Sequence, residues 1–365
     1  QEAIEKARAQ YISANPLSYA ANKEAQRYLP GGNTRSVLYF DPFPLTMVGG
    51  EGPELTDLDG HRYIDFVGEY SAGLLGHSNE VIKSKIKEVL DAGIAMGSPT
   101  RHERELAALL CERFPSLDMV RFCNSGTEAN FMALSTARAA TGRDRFLVFR
   151  DSYHGGVIKF PGGHFKLNVP FDFILGEYND VEGTAKIFEE IGDELAAVLV
   201  EPVLGAGGNI PGTREFHELL REQTRNHGAL LIYDEVKTAR IGPSGIQGLL
   251  GITPDLTTLG KIIAGGLPTG AFGGRADIME HFDPRRPDYW DHAGTFNNNV
   301  CSMAAGCAAL GEVYTQDRAT EFFDWSEAFR VSLNKMFNDK GVSMHANGIA
   351  SMIAVHFSSE TTRSP

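Results

Sequence analysis

The chain has 365 residues, 42% of them hydrophobic and 22% charged, with 17 prolines and a formal net charge of −13. That length and apolar content suit two globular domains, or one large α/β unit with an appendage, and exclude a disordered chain. The acidic balance argues against a nucleic-acid partner, no apolar run approaches the roughly 18 residues of a membrane span, and four cysteines without a CxxC pair read as reduced thiols, so a soluble cytoplasmic protein is expected.

Residues 1 to about 30 read as helical, ending at Pro30-Gly31-Gly32. The stretch "PLTMVGGEGPELTDLDGHRYIDFV" then alternates extended runs with turn signals such as Asp59-Gly60 and predicts a small antiparallel meander. From "NEVIKSKIKEVLDAG" onward, helices alternate with short apolar runs: "VRFCN", "RFLVFR", "AAVLVEP", "ALLIYDEV" and "LTTLG". Such runs without polar alternation predict a mostly parallel sheet covered on both faces, with ligands beyond the carboxyl ends of its strands. A long helix after "TFNNNVCSMAAGCAALGEVYTQ" leads into "GVSMHANGIASMIAVHF", the opening of a smaller α+β domain that reads as incomplete at Pro365.

Four segments follow strands and carry chemistry. In "FCNSGTEAN", the N–H groups and hydroxyls of Ser125, Gly126 and Thr127 form an anion site at a helix start, predicted near Glu128. The same turn could be a plain helix cap, although Thr127 to Asn130 completes no capping box. In "ALLIYDEV", Asp234 and Glu235 end a strand, where a carboxylate could pair with a protonated ring nitrogen, face solvent, cap a turn or, less fittingly, hold Mg²⁺. Tyr153 in "DSYHGG" could offer its ring to a planar ligand or serve packing. "HAGTFNNN" places Thr295 and three asparagines in a turn before a helix. Lys261, in "LTTLGKIIAGG", is a lone cation in an apolar, glycine-rich segment, where a solvated surface lysine is the ordinary reading.

Other fingerprints fail. Ile210 stands where the last glycine of a dinucleotide motif belongs, Ile262 replaces the hydroxyl residue of a P-loop, and there is no HExxH motif or GxSxG elbow; no metal site is expected. Taken together, an anion site, an aromatic ring, a strand-end acid and a later lysine are what pyridoxal 5′-phosphate requires. Its phosphate needs donors, its pyridine nitrogen an acid, and its aldehyde an amine.

In order and spacing, "NSGTEAN", "YHGG", "VLVEP", "DEV" and the "TLGK" lysine resemble class III, fold type I pyridoxal-phosphate aminotransferases. The resemblance covers roughly residues 25 to 355. It lies with the branch of glutamate-1-semialdehyde aminomutases and β-amino-acid (β-phenylalanine) aminotransferases, and "GGNTRSVLYFDPFPLT" and "FNNN" resemble the latter. It implies a large domain with a mostly parallel seven-stranded sheet flanked by helices, and a smaller α+β domain. The implied boundaries are 1–55 for an N-terminal segment, 56–300 for the cofactor domain and 301–365 for a linking helix and the start of the small domain.

By the same resemblance, Lys261 bonds the cofactor and moves the substrate proton, and Asp234 pairs with the pyridine nitrogen. Val236 and Tyr153 sandwich the ring, and Ser125, Gly126 and Thr127 hold the phosphate. Thr295 reaches the phosphate of the neighbouring subunit in a homodimer with shared active sites, and Arg35 receives a substrate carboxylate. An amino donor and a keto-acid acceptor are the implied partners. Some residues depart from the pattern. "KTARIGPSG" after "DEV" differs from the ordinary amine:pyruvate subgroup. Small residues in "EPVLGAGGN" replace an amide that aminomutases place near the cofactor's phenolic oxygen. The arginine that many relatives use for the acceptor's α-carboxylate is expected past residue 365. The expected activity is a ping-pong transamination favouring a β-amino acid. The alternatives are an aminomutase and, from another class, a non-catalytic or dehydrogenase-like α/β protein.

Overall fold

The computed structural model describes residues 1–358 and 361–362. The chain divides into two compact units, Gln1–Glu80 and Val81–Pro365. In the first, the expected helical segment is two helices, α1 (Glu2–Ala14) and α2 (Pro16–Ala25). The break falls at Asn15, at φ −127° and ψ 52°, because a residue preceding proline is driven out of the helical region. The expected meander forms as β1 (Met47–Glu51), β2 (Glu54–Asp57) and β3 (Arg62–Ile64), paired antiparallel in that order.

From Val81 on, the second unit takes in the rest of α3 (Glu80–Ala92), α4 (Arg101–Arg113), then β4 (Met119–Cys123), α5 (Gly126–Thr141), β5 (Arg145–Phe149) and β6 (Asp172–Gly176). Next come α6 (Val181–Ile191), β7 (Leu195–Val200), the short pair β8 (Val203–Leu204) and β9 (Ile210–Pro211), α7 (Arg214–His227) and β10 (Leu230–Asp234). After α8 (Gly245–Leu250) follow β11 (Leu256–Gly260), β12 (Gly270–Gly274) and α9 (Ala276–Met279). The unit closes with α10 (Val300–Ala308), α11 (Gln316–Asp339) and the hairpin β13 (His345–Ile349) and β14 (Met352–His356).

Seven strands form the central sheet in the order β4-β12-β11-β10-β7-β5-β6. Only β12 runs antiparallel to its neighbours. All five predicted strands are present; β6 and β12 are additional. In β7 every residue is buried, as a sheet covered on both faces requires. Alternation along β5 sends Phe146 and Val148 into one core layer with Ala133, Leu134 and Ala137 of α5. Leu147 and Phe149 enter the other, with Phe216 and Leu220 of α7. The same period of two places Ile232 in the α5 layer and Leu231 and Tyr233 in the α7 layer. Among the described residues no helix is long and apolar enough to cross a membrane, and all four cysteines are free.

Candidate active site

Strands β4, β5, β10 and β11 point the same way, so Ser125, Tyr153, Asp234 and Lys261, each at or just past a strand's carboxyl end, share one edge of the sheet. That edge is where α/β sheets hold ligands.

Continuing the alternation of β10, Asp234 faces the α5 layer. Its Oδ2 accepts from Nδ2 of Asn130, on α5, at 2.8 Å and from Nδ1 of His154 at 2.8 Å, while Oδ1 accepts from the N–H of Val236 at 3.0 Å. Asn130 is fixed in turn, its Oδ1 accepting from the Thr258 hydroxyl at 2.6 Å and its Nδ2 also bonding the His154 carbonyl at 2.9 Å. Asp234 is 4% exposed, and both of its carboxylate oxygens accept hydrogen bonds.

Glu235 turns the opposite way. Its carboxylate accepts from the Thr238 hydroxyl and from the N–H groups of Ile246 and Gln247 at 3.1 and 2.9 Å, which ties down the start of α8. Burial pushes it up from the usual carboxylate range. The two acids therefore do not converge, and the Mg²⁺ option for the pair falls away.

Helix α5 begins at Gly126, two residues earlier than predicted, because Ser125 is its N-cap: Ser125 Oγ accepts from Glu128 N at 3.1 Å. Glu128 Oε2 reaches back to Asn124 N at 2.8 Å. Ser125-x-x-Glu128 is thus the box-like pairing missed when the frame was set at Thr127. The cap leaves the N–H groups of Gly126 and Thr127 at an open helix start. The Thr127 hydroxyl accepts from Gly156 N at 3.2 Å. A Cβ on Gly126 would sit 2.7 Å from Val236 Cγ1, so only glycine lets this turn close on the buried Val236.

Lys261 directly follows β11 at φ +52°. That region costs a non-glycine residue about 1 kcal/mol or more, and such outliers gather at functional sites. It is half-buried, and its amine has no hydrogen bond or ion pair among the described residues.

Tyr153 is 45% exposed, with its N–H held by Glu201 Oε1 at 2.8 Å. Glu201 follows β7 and also accepts from Gly205 N at 3.0 Å. Burial raises it, Asp234 adds to that rise and His154 opposes it. Lys237 donates to Asn209 Oδ1 at 2.7 Å, and burial lowers it. Thr295 is exposed, and two residues on, Asn297 Oδ1 accepts from Asn124 Nδ2 at 3.0 Å. Asn299 caps α10, accepting from the N–H groups of Cys301 and Ser302. In the first unit, Arg35 pairs with Glu69 and stands over the Tyr70 ring at 5.3 Å from its centroid.

Asn130, His154 and Glu201 are the contributors that motif reading passed over. The donors fit pyridoxal phosphate: an open helix start for its phosphate, a fixed buried carboxylate for its ring nitrogen and an unpaired amine for its aldehyde.

Comparison with known proteins agrees. Residues 39–160 and 166–364 match the family Aminotransferase class-III. The β-phenylalanine transaminase of Variovorax paradoxus is 47% identical over 363 residues, spanning 100% of this chain and 83% of that protein. A glutamate-1-semialdehyde 2,1-aminomutase 2 of Shouchella clausii is 41% identical over 361 residues, 94% of this chain and 83% of that protein. The crystal structure of a β-phenylalanine aminotransferase from Variovorax paradoxus superposes with a TM-score of 0.96 at 47% identity, covering 100% of this chain and 84% of that one. A transaminase with bound pyridoxal phosphate gives 0.86 at 32% identity, covering 92% and 82%. The parallel sheet, the strand-edge donors and these matches agree: the chain belongs to the class III aminotransferases, fold type I enzymes that use pyridoxal 5′-phosphate.

Proposed function

We propose that the chain moves an amino group from a carboxylate-bearing amine, with a β-amino acid as the favoured donor, to a 2-keto acid in two half-reactions. The observation that carries the residue assignment is Lys261, an unpaired amine on a left-handed backbone at φ +52° immediately past β11. Pyridoxal phosphate, when bound, supplies an aldehyde for amines and a protonated ring that draws electrons from the substrate carbon.

In this reading Lys261 Nζ holds the cofactor at rest and, once released, takes and returns the proton of the amine-bearing carbon. Asp234, held as an acceptor by Asn130 and His154, keeps the ring nitrogen protonated. Val236 and Tyr153 flank the ring. Ser125, Gly126 and Thr127 hold the phosphate, and Thr295 does so across a homodimer interface. Arg35 clasps the donor's carboxylate; its present pairing with the Glu69 carboxylate suits a guanidinium in that role. The β-amino-acid preference is supported by the 47% identity to a protein named for β-phenylalanine. The four free cysteines suit a reducing, cytoplasmic setting. The domain boundaries inferred from sequence, 1–55, 56–300 and 301–365, remain part of this reading.

The second reading, intramolecular transfer of the aminomutase kind, is favoured by the 41% identity to such an enzyme. A panel of α-, β- and ω-amino acids, each with 2-oxoglutarate or pyruvate, separates the two. Transamination predicts a new amino acid only when a keto acid is present; product from a single substrate with no keto acid would establish the second reading instead.

A further inference from the structure

A second cluster of potential ligands lies away from the strand-end residues. Helix α4 carries His102 and Glu105 three residues apart, hence on one face, and α10 carries Cys307 to the same spot. One ligand atom from each of the three lies within 4.8 Å of the others. His102 is 4% exposed, and its buried Nδ1 has no hydrogen-bond partner among the described residues. Glu105 Oε2 stands 3.3 Å from that nitrogen, and Cys307 Sγ donates to the His102 carbonyl at 3.4 Å.

We propose that His102, Glu105 and Cys307 form a site for one borderline-soft divalent cation of the zinc type, tying α4 to α10, with a fourth position left to water. An imidazole, a thiolate and a carboxylate are within zinc's donor range, whereas magnesium and calcium take oxygen ligands. Bonds of about 2.0–2.3 Å put the donors of one tetrahedral ion about 3.3–3.8 Å apart. The trio must therefore contract by about 1.5 Å at most, part of which the 44%-exposed Glu105 side chain can supply by turning. As the sulfur–metal bond forms, the thiol proton leaves to solvent.

Two cations stand nearby. Arg101 Nε lies 3.4 Å from His102 Nε2, and the Lys85 charge acts on Cys307. The two share one counter-charge, the Glu88 carboxylate, at 3.1 Å from Arg101 and 2.9 Å from Lys85. Ligation through Nδ1 moves the ring proton to Nε2, so the long Arg101 contact opens and Arg101 stays on Glu88. The site departs from the metal-free expectation drawn from sequence, since a His-x-x-Glu pair and a cysteine 202 positions after Glu105 form no recognised motif.

The competing reading is a thiol packed as a small apolar group beside a solvated Glu105. The cofactor-loaded protein, cleared of metal by chelator and dialysis, is equilibrated with zinc chloride, desalted and assayed for metal, then repeated with cobalt(II). We expect one zinc per chain and a near-ultraviolet thiolate–cobalt band. Cys307→Ser and His102→Gln should lose the band and at least tenfold in zinc affinity while keeping the bound-cofactor absorbance, which reports folding. Glu105→Gln, a half-exposed change, should weaken zinc less. No retained zinc in the parent, or equal retention in Cys307→Ser, would overturn the site.

Discussion

His154 and Asp234, 80 residues apart in sequence, meet through a buried 2.8 Å hydrogen bond from Nδ1 to Oδ2, on the same oxygen that Asn130 bonds at 2.8 Å. The acid assigned to the cofactor's ring nitrogen is thus oriented by two residues that need not touch the cofactor. Asn130→Ala removes one donor and leaves Asp234 and the Thr258 hydroxyl each short of a partner, a cost of about 1–3 kcal/mol. We expect kcat to fall about 10–100-fold and bound-cofactor absorbance to change its pH profile. An unchanged profile together with unchanged kcat would deny Asn130 this positioning role.

The left-handed backbone of Lys261 predicts a trade between stability and activity. Lys261→Gly relieves a strain that Lys261→Ala keeps, so the cofactor-free glycine variant should be the more stable of the two by about 1 kcal/mol. Both should lack turnover. Equal Tm values for the two variants would remove the strain argument.

Much of this was legible in sequence, and the exceptions have physical causes. The five predicted strands were readable from their short apolar runs, whereas parallel β6, at the sheet's edge and only partly buried, was not. Strand β12 escaped because "GAFGG" consists mostly of glycine, which is depleted in strands and sits here where Cβ atoms would strike Ser125 O and Asp255 O at 2.1 Å. Lys261 and Asp234 stood out from strand ends and order. Asn130 and His154 did not, since their role depends on pairing across 104 and 80 positions. The divergence of Asp234 from Glu235 was available in principle, because neighbours on a strand face opposite ways.

Exposed Glu69 pairs with Arg35 and would compete with a substrate carboxylate for it. Arg35→Ala should raise KM for a β-amino acid by about 10–100-fold, the loss expected of a charge-assisted hydrogen-bond pair. Glu69→Gln should lower KM by less than about fivefold, as exposed pairs contribute about 0–1 kcal/mol. Steady-state kinetics with β-phenylalanine checks both; an Arg35→Ala variant with parental KM would exclude Arg35 as the grip.

His217 is fully buried, accepts from the Tyr233 hydroxyl at 2.9 Å on Nδ1 and meets Pro202 O at 3.3 Å through Nε2. Burial lowers it to about 4 from 6.5. The unfolded chain then binds a proton that the folded chain refuses, so the stability from neutral His217 is complete above pH 6.5 and is lost as pH falls toward 4. The loss approaches about 1.4 kcal/mol per pH unit within that window. His217→Gln should flatten the acid limb of a urea-denaturation series; an identical limb would assign the acid sensitivity to other groups.

The central claim is that Lys261 is the amine that holds the cofactor. Borohydride reduction of the cofactor-loaded protein makes the cofactor–lysine bond permanent, and peptide mass mapping then locates it. The account predicts label on Lys261 alone and none in Lys261→Ala. Label on Lys237, or on no lysine while the cofactor stays bound, would contradict it.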